Sequence, residues 1–209
     1  MSLQLGGAAT LGGTARLSSV DLCGALRHAG AMNEATPWST GQLLLALPGV
    51  GDPRFDRAVI AMVNHGPDGA MGIAIGQRHP VHSLGDVLEQ LRIASGDFGG
   101  APVLDGGPVE RQRGFILHSR DWAGADAVDV AGRWMISSSA DVLRAIAGGG
   151  GPSRWHFALG YAGWDAGQLE QEFARHAWHA APASDALLFD TPIEQRWESA
   201  FASVGVDAR

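Results

Sequence analysis

The sequence predicts a single α/β domain, of the α+β type. Three observations lead there. Apolar runs of strand length alternate with amphipathic helical stretches, Gly- and Pro-bearing turns separate them, and 45% hydrophobic content in 209 residues suffices for one substantial core. No internal repeat occurs. The stretch up to Ser39 differs: it is rich in Gly, Ala, Ser and Thr, with few large apolar residues and no sustained period. Residues 1–40 are therefore assigned to a flexible tail, or to a mis-assigned start with Met32 as the true one, and 41–209 to the domain.

Along the domain, Gln42 to Leu47 is an apolar run closed by Pro48 and Gly49, as a buried strand is. Asp52-Pro53 starts a brief helical turn with Asp as cap. Ala58 to Val63 and Ala70 to Ile75 are strands joined antiparallel through Gly66-Pro67-Asp68-Gly69. Ser83, with Asp86 three residues on, caps a helix whose apolar face holds Leu84, Val87, Leu88 and Leu91. Val103 to Leu104, Phe115 to His118, Ala127 to Val130 and Trp134 to Ile136 follow as strands. Ser138 with Asp141 caps a second helix, which Gly148 to Gly151 ends. Trp155 to Tyr161 is a strand, Gly167 leads into a helix through about Trp178, and Ala186 to Phe189 is the last strand. Thr191-Pro192-Ile193-Glu194 is a capping box for a last helix carrying Ile193, Trp197 and Phe201, stopped by Gly205.

Composition excludes whole classes of chemistry. The formal net charge of -7 opposes non-specific binding of nucleic acid, and no Arg run supplies a local footprint. The chain has no lysine, which rules out a Walker A loop, a Schiff-base lysine and pyridoxal phosphate chemistry. Cys23 is the only cysteine, so no intramolecular disulfide or Cys-rich zinc site forms. No apolar stretch approaches a membrane span and no signal peptide is read, so the expected compartment is the cytoplasm. No cofactor is expected.

Four stretches carry a family resemblance. They are His65 with Gly69-Ala70-Met71-Gly72-Ile73; Gly106-Gly107-Pro108-Val109 followed by Arg113-Gly114-Phe115-Ile116-Leu117-His118; Ala158 through Trp164 continued by Gly167-Gln168-Leu169-Glu170-Gln171-Glu172; and Phe189, Pro192 and Arg196-Trp197. In order and spacing, from about Gly41 to Asp207, they resemble the bacterial AlgH/YqgE family. The resemblance implies a strongly bent, mixed and largely antiparallel sheet, bifurcated and closing into a pseudo-barrel with helices outside. It implies no mechanism: one member is named as a regulator of alginate synthesis, which describes a phenotype. The sequence departs from the family at Asn64, near Gly76, and at His176.

The candidate site residues come from those stretches. Gly160, Gly163, Trp164, Gly167 and Gln168 form a strand, a Gly-rich turn and a helix start, which is either a tight packing turn or a ligand-binding turn. Arg113 is suited to clamp a carboxylate or phosphate, and His118 to act as a titratable partner. The bland alternatives are an ion pair, for instance with Glu170, and a hydrogen-bonded core histidine. Glu172, His176 and His179 fall on one face if the helix continues, but without HExxH they make a weak metal site, and no metal is assigned. No GxSxG elbow occurs, Ser137 to Ser139 read as helix capping, and Trp155, Trp164, Trp178 and Trp197 read as core. No complete catalytic set emerges. The leading expectation is a non-catalytic binding or regulatory module with a protein or small-molecule partner. The rival is a small-molecule or anion binder, or an enzyme, using a cleft near Arg113, His118 and the Gly160–Glu172 turn.

Overall fold

The structure is a computed structural model and describes residues 39–48 and 52–205. Most of the tail assignment, Met32 and Cys23 lie outside the described residues. Ser39 and Thr40, placed in the tail by sequence, are packed: Ser39 is buried, its N–H donates to His65 Nδ1, and Thr40 Oγ1 accepts from the His65 N–H.

Ten strands form one curled sheet, with helices on its outside and one at its mouth. They are β1 (Gln42–Ala46), β2 (Val59–Gly66), β3 (Gly69–Ala74), β4 (Arg78–Ser83), β5 (Pro102–Asp105), β6 (Val109–His118), β7 (Val128–Val130), β8 (Trp134–Ser137), β9 (Trp155–Asp165) and β10 (Trp178–Pro182). The main path runs β10-β1-β2-β3-β9-β6-β8-β7, and β5 joins β9 to β4. The helices are α1 (Leu84–Gln90), α2 (Ala140–Ala147), α3 (Gln168–Ala174) and α4 (Arg196–Ser203). The result is a half-barrel of largely antiparallel strands with flanking helices. No helix among the described residues is long and apolar enough to cross a membrane.

Strand alternation distributes the apolar residues over three cores. Leu43, Leu45, Val59, Ala61, Ile73, Phe115 and Leu117 face the concave side, where Trp197 and Phe201 of α4 close over them. Leu44, Ile60, Met62 and Trp164 face outward on one half, under α3 and Phe55. Val103, Ile116, Phe157 and Leu159 face outward on the other half, under α1 and α2.

The sheet forks at β9. One edge of β9 pairs with β6 along much of its length. The other edge pairs in parallel with β5 at Phe157–Leu159 and antiparallel with β3 at Ala162–Asp165. Between these, Gly160 has φ 74. Leu159 and Ala162 both face outward although three residues apart, so the strand slips one residue in phase there. Gly106 and Gly107 cross this point so closely that a Cβ on Gly106 would overlap the Gly160 carbonyl, and one on Gly107 the Tyr161 carbonyl.

Several sequence expectations need correction. Residues Arg78–Ser83 form a strand that alternation did not reveal, because it is an exposed edge with no apolar face. The helix expected through Trp178 ends at Ala174: His176 adopts φ 55, and the chain returns as β10. The expected last strand at Ala186–Phe189 is a π-helical turn, Ala186–Asp190. Ser139, not Ser138, caps α2, since its Oγ accepts from the Asp141 N–H and Asp126 takes the Ser138 N–H. The capping box at Thr191 does not form: Thr191 Oγ1 donates to the Ala186 carbonyl, and a 3-10 turn at Ile193–Gln195 precedes α4. The Asp52 cap, the Ser83–Asp86 capping box, the β2–β3 hairpin and the Gly205 stop are all present.

Gly107→Ala is expected to destabilise the protein by more than about 2 kcal/mol, because it combines a backbone overlap with φ 142. Gly132→Ala, at φ 69 with no atom within 4 Å of the added carbon, serves as control and is expected to cost about 1 kcal/mol. Urea unfolding of both measures this, and equal costs would show that the crossing carries no special constraint.

Candidate functional site

The structure splits the expected site into three parts. Arg113 lies on β6 with its guanidinium carbon 5.3 Å from the centre of the Phe115 ring. Tyr161 of β9 meets the same ring edge-on at 5.9 Å. Arg113 and Tyr161 therefore converge on the concave side, beside Gly160 and with the Tyr161 ring over Gly163. His118 does not join them. It lies five residues along β6, roughly 16 Å away at about 3.3 Å per residue, and points to the opposite face. Its ring is fully buried, with Nδ1 against the Ser119 carbonyl at 2.9 Å and Nε2 against Ser137 Oγ at 3.1 Å. Burial lowers its pKa from the ordinary histidine value. It is a hydrogen-bonded core histidine.

Trp164 and Gln168 form a second cluster on the outer face, and its centre is Glu172. This carboxylate is 5% exposed. Its Oε2 accepts the indole N–H of Trp164 at 2.9 Å and of Trp178 at 2.7 Å, while Oε1 accepts Gln168 Nε2 at 2.9 Å. Gln168 also accepts the Asp165 N–H, so the turn ahead of α3 is closed by the same side chain. Gly167, at φ 73, is the N-cap. The turn is thus a packing device that pins α3 between β9 and β10. His176 and His179 lie beyond the end of α3, so the one-face arrangement with Glu172 does not exist, and no metal-ligand cluster occurs among the described residues. Sequence reasoning missed Glu172 as a buried anchor. The signal was present: it falls between Leu169 and Phe173 on the apolar face of α3.

Arg113 differs from these satisfied groups. Its side chain is 15% exposed, and Nη1 donates to Glu110 Oε2 at 2.9 Å. Its Nε and Nη2 are buried and have no hydrogen-bond partner. They form the edge of the guanidinium that suits a bidentate oxyanion. A bulge positions it: Val109 pairs with Tyr161 and Gly114 with Leu159, so five steps on β6 match two on β9. Glu110, inside that bulge, has φ 44. Burial first, then the Glu110 charge, raises the Tyr161 pKa above its ordinary value, with Arg113 opposing.

Buried Arg196 and half-buried His156 form another pair that sequence did not assign. Arg196 is 1% exposed and has no hydrogen-bonded carboxylate among the described residues. It donates to the carbonyls of Ile75 at 2.7 Å and Thr191 at 3.1 Å, and to His156 Nε2 at 2.6 Å. Burial and then the Arg196 charge push the His156 pKa down to about 4.

Comparison with known proteins follows this geometry. A family model described as AlgH-like matches residues 43–209. A protein of Sphingopyxis alaskensis, named only as a UPF0301 protein, is 62% identical over 178 residues, covering 85% of this chain and 95% of its own. One from Rhizorhabdus wittichii, named likewise, is 53% identical, covering 81% and 91%. The solution structure of the AlgH protein from Pseudomonas aeruginosa is similar with a TM-score of 0.72 at 39% identity, covering 84% of this chain and 94% of that one. A crystal structure from Corynebacterium diphtheriae shares the fold at 21% identity and a TM-score of 0.63, over 80% of this chain and 87% of that one. None of these names states an activity.

Two outcomes are expected from the buried polar groups. Glu172→Gln should cost about 2–4 kcal/mol in denaturant unfolding, since charge-assisted bonds are lost and an amide N–H₂ would face indole donors; a cost below about 0.5 kcal/mol would mean that the carboxylate anchors nothing. His156 gives a pH dependence. Its folded pKa of about 4 lies below the unfolded value of 6.5, so the unfolded chain takes a proton that the folded one refuses. The contribution is fully present above pH 6.5 and is lost as pH falls toward 4. It amounts to on the order of 3 kcal/mol. His156→Gln should flatten the stability profile across that window, and an unchanged slope would contradict the assignment.

Proposed function

The chain belongs to the AlgH-like family, and from that premise we propose a non-catalytic binding or regulatory module that takes up an acidic group at Arg113. The observation that carries this is the buried, unpaired Nε–Nη2 edge of Arg113. A buried guanidinium edge without acceptors costs free energy, and native proteins ordinarily place an acceptor there. Phe115 holds the plane from one side and Tyr161 places its ring alongside. Entry is on the Glu110 side, where the carboxylate is 48% exposed and makes a single bond to Nη1. The incoming acid takes the inner edge while Glu110 keeps or yields the outer one. His118 plays no part in this reading, and Trp164, Gly167 and Gln168 act by holding β9 and α3 in place.

The same reading places the domain at residues 41–209 with Ser39 and Thr40 packed onto it, preceded by a dispensable tail up to residue 38, in the cytoplasm. A single cysteine suits a reducing compartment, and the charge of -7 disfavours non-specific nucleic acid binding. The acidic group belongs to a small molecule or to a partner protein.

Tyr161 is the chain's only tyrosine, so tyrosine-labelled protein gives one ring signal at the site. Titration with a panel of small mono- and dicarboxylates and inorganic phosphate should shift that signal saturably for at least one probe. Arg113→Gln should abolish the response while the melting temperature moves by less than about 5 °C. Collapse of the fold in Arg113→Gln, or no saturable shift with any probe, would overturn the reading in favour of a structural arginine.

A further inference from the structure

A second place on the molecule, beside the link from β3 to β4, brings ionic and apolar side chains together around open clefts. Gly76 and Gln77, which link β3 to β4, floor two adjoining clefts. The narrower encloses about 110 Å³ between Arg54, Phe55 and Ala58 on one side and Gly107, Pro108 and Arg111 on the other. The wider encloses about 230 Å³ and runs over Gln77 toward Ile193, Trp197 and Glu198. Taken singly, each is smaller than the roughly 300–1,000 Å³ that a drug-sized ligand fills. Taken together, they accept a small head group in one half and a short body in the other.

The head end is arginine-rich and its ion pairs are unequal. Asp52 holds Arg54 through Nε and Nη2, the latter at 2.7 Å. Arg111 is held to Asp105 by one contact at 3.4 Å, with its side chain 57% exposed. An exposed single-contact pair contributes little, so Arg111 can exchange Asp105 for a stronger acceptor at small cost. Gly76 and Gly107 present bare backbone on the floor, and Phe55, Ala58 and Pro108 supply apolar wall. This half suits one phosphate or carboxylate group.

The body end has the opposite polarity. Asp56, Glu194 and Glu198 border it, together with Arg57. Arg57 adopts φ 51, lies over the Trp197 ring at 5.3 Å, and reaches Glu198 only at 3.9 Å. Glu194 is engaged by Arg78 at 2.8 Å, which leaves Glu198 and Asp56 as the acceptors least committed to a cation. Acceptors around an indole favour a body bearing hydroxyl or amino donors.

We infer that the groove over Gly76–Gln77 binds a small molecule with an oxyanion head on Arg111 and a hydrogen-bond-donating body toward Glu198 and Trp197. The site is separate from Arg113, which lines neither cleft. The experiment uses full-length protein and follows the backbone amide signals of Gly76 and Gly107. Inorganic phosphate probes the head alone, and glycerol 3-phosphate probes head and body. Both should shift these signals saturably, glycerol 3-phosphate at lower concentration. Arg111→Gln should weaken both by roughly tenfold. Glu198→Gln should weaken glycerol 3-phosphate only. Arg113→Gln should leave both unchanged, so failure here is distinguishable from failure of the Arg113 reading. No saturation with either probe at tens of millimolar, or equal binding by Arg111→Gln and the parent, would overturn the inference. Phosphate binding that Glu198→Gln and the glycerol moiety do not affect would overturn its body half.

Discussion

The architecture depends on the backbone crossing at Gly160. A single strand, β9, must serve β5 and β3 on one edge while β6 runs along the other. That requires the strand to change phase within one residue, and the left-handed backbone at Gly160 does so. The change lets Phe157 and Leu159 pack under α1 and α2 while Ala162 and Trp164 pack under α3. It also opens the angle between the two halves, so that one concave core collects side chains from both. Gly106 and Gly107 pass over the same point with no room for a side chain. The segment they begin then carries Arg111 to the narrower cleft and Arg113 to the inner face. Fold and candidate sites therefore share one steric requirement.

Around this crossing, other buried ionic groups are held by many partners. Glu172 has three N–H donors, and Arg196 has two carbonyls and an imidazole. Neither needs an opposite charge at hydrogen-bonding distance. Each ties elements distant in sequence: Glu172 joins α3 to β9 and β10, and Arg196 joins α4 to the end of β3. Such groups are strongly destabilising when one partner is removed, because the rest are left buried and unpaired. Trp164, Gln168, Glu172 and Arg196 thus each take part in a hydrogen-bond network that ties the fold together.

The fold was legible in the sequence where local rules decide it. Caps and turns such as Asp52, Ser83 with Asp86, and Gly66 to Gly69 depend on neighbours a few residues away, and the strands with buried faces showed in their apolar runs. The curled, forked sheet came through resemblance, since no local pattern encodes which strands meet. What local reading missed was set by tertiary context. Strand β4 has no buried face, and α3 stops at Ala174 because its last carbonyls are satisfied by the left-handed turn at His176. For the candidate site, Arg113 and the Gly160 turn were legible through their glycines, Gly114 and Gly160, which the structure places inside β6 and β9 and not at strand ends. His118 takes the hydrogen-bonded core position that the sequence held as its alternative, because strand parity sends it to the face opposite Arg113. The clefts over Gly76–Gln77 join segments far apart in sequence, and no motif marks them.

The bulge from Glu110 to Arg113 combines two local costs, a positive φ on a non-glycine residue and buried N–H groups without an acceptor. A non-glycine residue with positive φ costs about 1–3 kcal/mol. Two buried N–H groups without acceptors each cost about 1–3 kcal/mol more. Against a total stability of roughly 5–15 kcal/mol, that is a large local debt. It is not forced by the sheet, because β6 pairs regularly with β9 again from Gly114 to His118. Nor is it a general looseness, since Phe115 beside it is fully buried. A bound acid would supply the missing acceptors and so bind the folded state selectively, which stabilises that state by mass action. The acid proposed for Arg113 would give its Nε–Nη2 edge the acceptors that Glu172 and Arg196 find as partners in their own neighbours.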